Sequence, residues 1–201
     1  RDSFFSGVVE GQVGSERIIK MLDVVNDELV VEEKGIYSIE KFIVARRFMY
    51  WQVYLHKTVL AAEFLLIKIL TRAKELAMQN TQLFCTPALQ HFLYNKLNDK
   101  DFANNPLHLE TFALLDDYDI MGAIKVWQFC DDTILSDLSK RLINRKLFKI
   151  KISKEPFSES ELNTKRQEIA AKLGISEEET AYYLHASRLV NNAYNQEKQT
   201  I

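Results

Sequence analysis

Residues 39–77 contain neither Gly nor Pro, and their hydrophobic pattern predicts one long helix with room for a bend. Apolar side chains occupy most of the circumference of this helix, which is typical of a buried helix. Its middle nevertheless carries two cations and two phenols: Arg46, Tyr50, Tyr54 and Lys57. At about 100° per residue, these four fall within a sector of about 80°. The pattern therefore predicts one narrow polar stripe on an apolar wall.

Two interpretations of this stripe are open. Cations within an apolar wall need an anionic partner, which either the protein or a ligand can supply. Arg46 and Lys57 could bind phosphate oxygens, since Arg forms forked hydrogen bonds to them and Lys adds a point charge. Alternatively, both cations pair with Asp or Glu in the core. Spacing alone favours internal pairing, which makes phosphate binding a hypothesis that requires other support.

The remaining pattern predicts shorter elements. Two β-type runs, residues 21–25 and 28–32, flank Asn26-Asp27, a pair that suits a hairpin turn. Further helices are predicted at residues 87–95, at 108–129 with a candidate break near Asp116-Asp117, and at 132–143. Residues 148–152 alternate between apolar and Lys, which is typical of a strand.

Capping boxes at Ser158 and Ser176 mark a separate C-terminal region. The prediction is a mainly α fold, resembling an HD-domain helical core, with a β-hairpin and a small α+β C-terminal unit. We divide it into a helical portion, residues 1–146, and an incomplete C-terminal subdomain, residues 147–201.

Composition narrows the classes of function. The 47% hydrophobic content is enough for a sizeable core, and a net charge of −2 gives no global case for binding nucleic acid or an anionic membrane. Glu63 and Lys68 interrupt the long apolar run, so no membrane span is expected. Cys85 and Cys130 are far apart, which suits a reducing cytosol and a cytoplasmic protein. Because the first residue is Arg1 and not Met, we expect a piece of a longer protein.

Motifs for common chemistry are absent from the sequence. The histidines show no metal-ligand spacing, and neither HExxH, CxxC nor a Gly-rich phosphate loop occurs. Residues 170–176 resemble the turn of a helix-turn-helix, but three glutamates, Glu177, Glu178 and Glu179, open the following helix. Carboxylates at that end would repel DNA phosphates, so specific DNA binding is not expected.

Residues 50–57, which read YWQVYLHK, follow Ala45-Arg46 and resemble a block of the HD-superfamily phosphohydrolases, relatives of the deoxynucleoside triphosphate triphosphohydrolases. Other segments resemble the same family in the same order: residues 1–7, 29–35, 115–119, 144–149 and 190–194. The resemblance therefore extends over most of the chain, and the ordered series makes it fairly specific.

The resemblance implies a metal-dependent hydrolase that converts a deoxynucleoside triphosphate to deoxynucleoside and triphosphate. In this family a His, a His-Asp pair and a later Asp hold a divalent metal. None of these ligands can be placed here, so we expect them upstream of Arg1. The 201-residue chain alone is then expected to bind no metal and to be inactive, since nothing in it would activate water.

The resemblance also implies substrate-binding residues. Asp2 matches a position near the sugar, Arg46 and Lys57 match phosphate-facing cations, and Tyr54 matches an aromatic that closes against the deoxyribose. His56 belongs to the same block and is a further substrate-binding candidate, whose contact with the substrate the resemblance does not specify. Tyr50, by contrast, is a candidate from helical geometry alone.

A second nucleotide site is implied at Arg145 and Lys149, which match a segment that binds regulatory nucleotide at subunit contacts in some relatives. A local basic cluster accompanies them: Lys140, Arg141, Arg145, Lys146, Lys149 and Lys151. A solvated charged face is an equally open interpretation of this cluster.

We also expect self-association into a dimer or tetramer. The long helix is too apolar for the short helices after it to cover, and the family works as oligomers. The competing function is non-catalytic: a helical oligomerisation or nucleotide-sensing module whose polar stripe is only structural.

Overall fold

A computed structural model describes residues 2–188, and the structural statements below concern that range. It is mainly helical with one antiparallel β-hairpin, which confirms the predicted fold class. The α-helices are α1 Asp2–Ser6, α2 Ser15–Ile19, α3 Ile36–Met49, α4 Lys57–Met78, α5 Pro87–Leu93, α6 Asp99–Asn104, α7 Pro106–Ala113, α8 Asp117–Trp127, α9 Thr133–Ile143 and α10 Glu159–Leu173. The strands are β1 Leu22–Val25 and β2 Glu28–Val31. Short 3-10 helices span Val9–Gly11, Glu33–Gly35 and Glu178–Tyr182. No described helix combines the length and the apolarity needed to cross a bilayer.

The described residues fall into two compact units: residues 2–60 with Arg188, and Ala61–Ser187. The first holds α1 to α3 and the hairpin, and the second holds α5 to α10 and most of α4. The sequence-based division at residue 146 stays a prediction.

The hairpin in the first unit forms where the sequence predicted it. Leu22 pairs with Val31 and Val25 with Glu28. Its turn residues, Asn26 and Asp27, have φ of 53° and 63°. Asn and Asp tolerate this left-handed conformation, which a tight hairpin turn requires at both central positions.

The predicted single long helix is wrong in its middle. An α-helix ends at Met49, a π-helical turn spans Tyr50–Tyr54, and α4 begins at Lys57. The Leu55 N–H donates to the Tyr50 carbonyl at 2.8 Å, five residues back instead of four. A π turn carries no Gly or Pro signal, so hydrophobic periodicity alone does not reveal it.

The core of the second unit forms around the inner face of α4. Leu65, Ile69 and Ala73 repeat every four residues there and are fully buried. They pack in one cluster with Trp127 of α8 and Leu135 of α9. The Trp127 indole N–H donates to the Phe84 carbonyl at 2.9 Å, which satisfies its polar group within the core.

The region after α9 packs on the same core but forms no described strand. The predicted strand at residues 148–152 is irregular, because no second strand among residues 2–188 lies beside it to complete a ladder. Instead, Phe148 packs against the core and against Tyr183. The first predicted capping box is confirmed: Ser158 and Glu161 cap α10, which ends at Gly174 with φ of 66°.

A half-buried ion-pair network joins α4 to the start of α9. Arg72 donates to both carboxylate oxygens of Asp132, at 3.2 and 2.6 Å. Its guanidinium lies 5.3 Å from the ring centre of Tyr182, whose hydroxyl donates to Glu75. Asp132 also caps α9 by accepting from the Leu135 N–H at 2.7 Å. The network therefore holds two helices and the 3-10 helix Glu178–Tyr182 together.

Candidate functional site

A cleft of about 510 Å³ lies within the first unit. Its lining comes from α1, the 3-10 helix after it, the segment before α2, α3 and the π turn: Asp2, Ser3, Gly11, Val13, Phe42, Ala45, Arg46, Met49, Tyr50 and Tyr54. This volume falls within the range of small-molecule sites, and the lining combines apolar side chains with a few polar groups, as such sites do.

Gly11 allows the N-terminal segment to lie directly on α3. A Cβ at this position would overlap the side chain of Met49. Glycine therefore allows the backbone to lie this close to Met49, whereas a Cβ would require the Met49 side chain to shift. The approach closes one side of the cleft and places Asp2 opposite the π turn.

One wall of the cleft carries a continuous series of polar side chains. The Arg46 guanidinium lies 5.9 Å from the centre of the Tyr50 ring. Tyr50 and Tyr54 meet edge to face with ring centres 5.3 Å apart. The Tyr54 hydroxyl then donates to Asp2 at 2.6 Å. The wall offers one cation, two aromatic faces and one carboxylate to a ligand.

The environment of Tyr54 raises the pKa of its phenol. The main cause is the hydrogen bond to Asp2, followed by burial and by repulsion from the Asp2 charge; Arg46 opposes them. Ionisation would remove the donated proton and place two anions side by side, so the protein favours the neutral phenol.

We therefore expect Asp2→Asn to lower the pKa of Tyr54 towards its ordinary value. The substitution keeps the size of the side chain and removes the anion. NMR titration of the Tyr54 ring carbon attached to the hydroxyl measures the pKa directly, with Tyr37, an exposed tyrosine, as the internal control. An unchanged Tyr54 titration in the variant would contradict the Asp2 contact.

The structure brings together only part of the predicted site. Asp2, Arg46, Tyr50 and Tyr54 line the cleft, whereas Lys57 and His56 are outside its lining. Lys57 follows the π turn and a two-residue break, so the α-helical phase that aligned it with Arg46 no longer applies.

His56 has a structural contact at the start of α4. Its Nδ1 accepts from the Thr58 N–H at 3.3 Å, and its carbonyl accepts from the Leu60 N–H at 3.1 Å. The side chain thus satisfies one of the helix-terminal N–H groups that lack an internal partner. This contact requires Nδ1 without a proton.

Arg145 and Lys149 lie in the second unit, and both are exposed. Arg141, from the same predicted basic cluster, pairs with Asp137 at 2.7 Å and packs on Tyr183. The family segment at residues 190–194 lies outside the described residues.

Sequence reasoning missed the apolar side of the cleft and the contact that closes it. In the sequence, Phe42 and Met49 match core positions of a long helix. The hydrophobic pattern does not distinguish a residue that lines a cleft from one that packs in the core. Asp2 and Tyr54 are 52 residues apart, so their contact carries no local signal.

The described residues do not fit a metal ion. Among residues 2–188, no group of three or more His, Cys, Asp or Glu side chains could hold one. We therefore assign no metal chemistry to these side chains.

Comparison with known proteins matches the part of the chain that supplies most of the cleft lining. Residues 13–87 match the family described as the HD associated region. A crystal structure of a phosphohydrolase from Bacteroides thetaiotaomicron is 55% identical, with a TM-score of 0.86 over 90% of this chain and 45% of that chain. The uncharacterized protein YwfO of Bacillus subtilis is 38% identical over 74% of this chain and 32% of its own length. The MG461 homolog of Mycoplasma pneumoniae is 28% identical over 75% of this chain and 36% of its own length.

The chain thus spans about a third of the curated relatives that it matches and less than half of the similar structure. The matched region contains α3, the π turn and α4. These matches support the resemblance to HD-superfamily phosphohydrolases.

Proposed function

We propose that this chain supplies the substrate wall of an HD-type phosphohydrolase that acts on deoxynucleoside triphosphates. The observation that carries the proposal is the cleft in which Arg46, Tyr50, Tyr54 and Asp2 line one wall within the first unit. Most of that wall belongs to the segment that matches the HD associated region.

The side chains suit a ligand with phosphate, sugar and ring parts. A guanidinium binds phosphate oxygens through two parallel hydrogen bonds, and it does so without changing its charge. Tyr50 and Tyr54 offer flat apolar faces to a sugar or a base. The Asp2 carboxylate fixes the Tyr54 ring and can accept from a sugar hydroxyl. Binding and orientation are therefore the roles we assign to this chain.

The proposal assigns the metal-dependent part of the reaction to residues outside this chain. The whole protein would use a divalent metal, and purified residues 1–201 would not release triphosphate. The test measures triphosphate release from the four common deoxynucleoside triphosphates by the whole protein and by residues 1–201. Release by the whole protein alone supports the proposal. No release from any of them by the whole protein, or robust release by residues 1–201, contradicts it.

We also propose that the whole protein is a homo-oligomer. Tyr37, Val44, Phe48 and Trp51 follow one another along α3 and the π turn at intervals of three, four or seven residues, and each is at least 41% exposed. Such a stripe is the type of surface that helices bury by pairing. Arg145 and Lys149 would then bind regulatory nucleotide at a subunit contact. Light scattering at micromolar concentrations should show a dimer or tetramer, and a monodisperse monomer would contradict this.

A further inference from the structure

The β-hairpin of the first unit has one side that is wholly aliphatic. Residues directly opposite each other on two strands share one side of the sheet, and successive pairs alternate between the two sides. The pairs Leu22–Val31 and Val24–Leu29 therefore lie on the same side, which we call the aliphatic face. Each of the four side chains is at least 37% exposed. A two-stranded hairpin usually needs a further strand or a helix against such a face, and the described residues leave this one open.

The backbone pairing decides which N–H and C=O groups point away from the hairpin. Because the turn has two residues, Val25 and Glu28 exchange the hydrogen bonds next to it. Such bonds recur at every second pair, and the Glu32 N–H accordingly donates to the Met21 carbonyl at 2.9 Å. The backbone groups of the residues on the aliphatic face consequently point outward, two residues along each edge of the hairpin.

The two outer edges of the hairpin differ. On β1, the Val24 N–H donates to the carboxylate of the adjacent Asp23 at 2.8 Å, which occupies a donor that an added strand would need. On β2, the N–H and C=O groups of Leu29 and Val31 have no partner among the described residues. This strand also lacks the Pro, the Lys or the bulge that commonly protects an edge. The hairpin thus has one blocked edge and one open edge.

The hairpin also carries a concentrated negative charge. Residues 21–33 contain five Asp or Glu and no Lys or Arg. Glu28 and Glu32 project on the side opposite the aliphatic face, one at each end of the open edge. Lys34 pairs with Glu32, whereas Glu28 forms no ion pair within residues 2–188. A strand beside β2 is therefore favoured when it carries cations on that side and aliphatic side chains on the other.

We propose that β2 binds an extended segment of a partner protein in which aliphatic residues alternate with Lys or Arg. The segment adds a third strand at the open edge, widens the aliphatic face and places its cations beside Glu28 and Glu32. This interaction goes beyond the proposed hydrolase function and does not depend on the cleft. A second copy of β2 fits less well. Antiparallel pairing of Leu29 with Val31 would bring Glu28 of one copy opposite Glu32 of the other, and like charges opposite each other are unfavourable.

The test measures the binding of two fluorescent peptides to the full-length protein by anisotropy. The peptide KVKVKVK has the proposed alternation, and KKVVVKK has the same composition and charge without it. Alternation places every valine on one side of a strand and every lysine on the other. KVKVKVK should therefore bind about tenfold tighter than KKVVVKK, and added salt should weaken its binding because the Glu28 and Glu32 contacts are exposed.

Matched proline variants separate the two edges. Val31 and Leu22 form one cross-strand pair, are equally exposed and direct their N–H groups towards opposite edges. Val31→Pro removes a donor of the open edge that the hairpin itself does not use, so KVKVKVK should bind about tenfold more weakly. Leu22→Pro makes the same change at the blocked edge and should leave the affinity within about threefold. Comparable thermal midpoints show that the two variants differ in binding and not in folding.

A charge variant that leaves the backbone unchanged gives a second measurement. Glu28→Lys should weaken binding of KVKVKVK about fivefold, because it replaces an attractive cross-strand pair with a repulsive one. Glu16→Lys makes the same change of charge at an exposed position on α2 and should leave the affinity within about twofold.

Each comparison can overturn the proposal. The contradicting results are equal affinity for the two peptides, equal weakening by the two proline variants, and equal weakening by the two charge variants. If the full-length protein binds no KVKVKVK and Val31→Pro converts an oligomer to a monomer, a second copy occupies the edge and the proposed partner is wrong. Absence of peptide binding without that change also contradicts the proposal. Triphosphate release enters none of these measurements, so this proposal and the hydrolase proposal fail separately.

Discussion

Asp132→Asn should lower the free energy of unfolding by about 2 kcal/mol at pH 7, because it leaves the half-buried Arg72 guanidinium with only Glu75, 3.8 Å away, as an anionic partner. The side chains of Arg72 and Asp132 are only 18% and 16% exposed, so water replaces the lost partner poorly. Asparagine still caps helix N-termini well, so the decrease in the free energy of unfolding measures mainly the loss of the ion pair and not the loss of the α9 cap. Urea unfolding followed by the fluorescence of buried Trp127 gives the measurement.

Two further variants isolate the pair. Asp131→Asn is the control, since Asp131 is adjacent and exposed, and it should change stability by less than about 0.5 kcal/mol. Adding Arg72→Met to Asp132→Asn should recover part of the loss, because no unpaired charge then remains. Equal effects of Asp131→Asn and Asp132→Asn would show that the ion pair contributes little.

The effect of Asp132→Asn should also depend on pH. Burial tends to raise the pKa of Asp132, but hydrogen bonds from Arg72 and the Leu135 N–H outweigh burial and lower it. The folded pKa is thus below the unfolded value of about 3.9. The ionised Asp132 carboxylate contributes fully to the free energy of unfolding above the unfolded pKa, and this contribution is lost as pH falls through the folded pKa. The stability difference should therefore shrink progressively below about pH 4.

Arg46→Ala in the full-length protein should reduce triphosphate release by about 10²-fold or more, if the proposed function holds. A guanidinium that binds developing charge on phosphate typically contributes an effect of this size. Arg46 is exposed in the cleft wall, so its removal should leave the fold intact. Steady-state kinetics with circular dichroism of the same preparation separate activity from folding.

Arg47→Ala provides the matched control for Arg46→Ala. Arg47 is the adjacent residue on α3, is exposed and is not part of the cleft lining. It should retain activity within about threefold, since surface substitutions away from a site are usually mild. Equal losses in the two variants would mean that the helix surface matters as a whole, and would contradict a specific role for Arg46.

Local chemistry predicted much of this fold. The Asn26-Asp27 turn, the start of the helix at residue 87 and the Ser158 capping box depend on neighbouring residues, and the structure confirms each. Three residues of the predicted polar stripe, Arg46, Tyr50 and Tyr54, line the cleft.

The sequence did not predict features that depend on contacts between distant segments or on a change of helical phase. The contact between Asp2 and Tyr54 depends on how distant segments meet, which no local pattern encodes. The segment at residues 148–152 has the alternation of a strand, but a strand also needs a neighbouring strand to hydrogen bond with. In the described residues this segment instead packs side chains such as Phe148 against the core. Lys57 does not line the cleft with Arg46, because the helical phase changes after the π turn.

The π turn at Tyr50–Tyr54 also bears on how this chain is compared with its homologues. Such a turn accommodates one residue more than an α-helical turn, so it marks a place where an insertion or deletion can occur inside a helix. Deleting Gln52 would remove the extra residue and favour a continuous α-helix, in which the residues before and after the turn keep nearly the same helical phase. An alignment that places a gap here would consequently mark homologues that lack the π turn, and the residues after the gap would still match those of this chain.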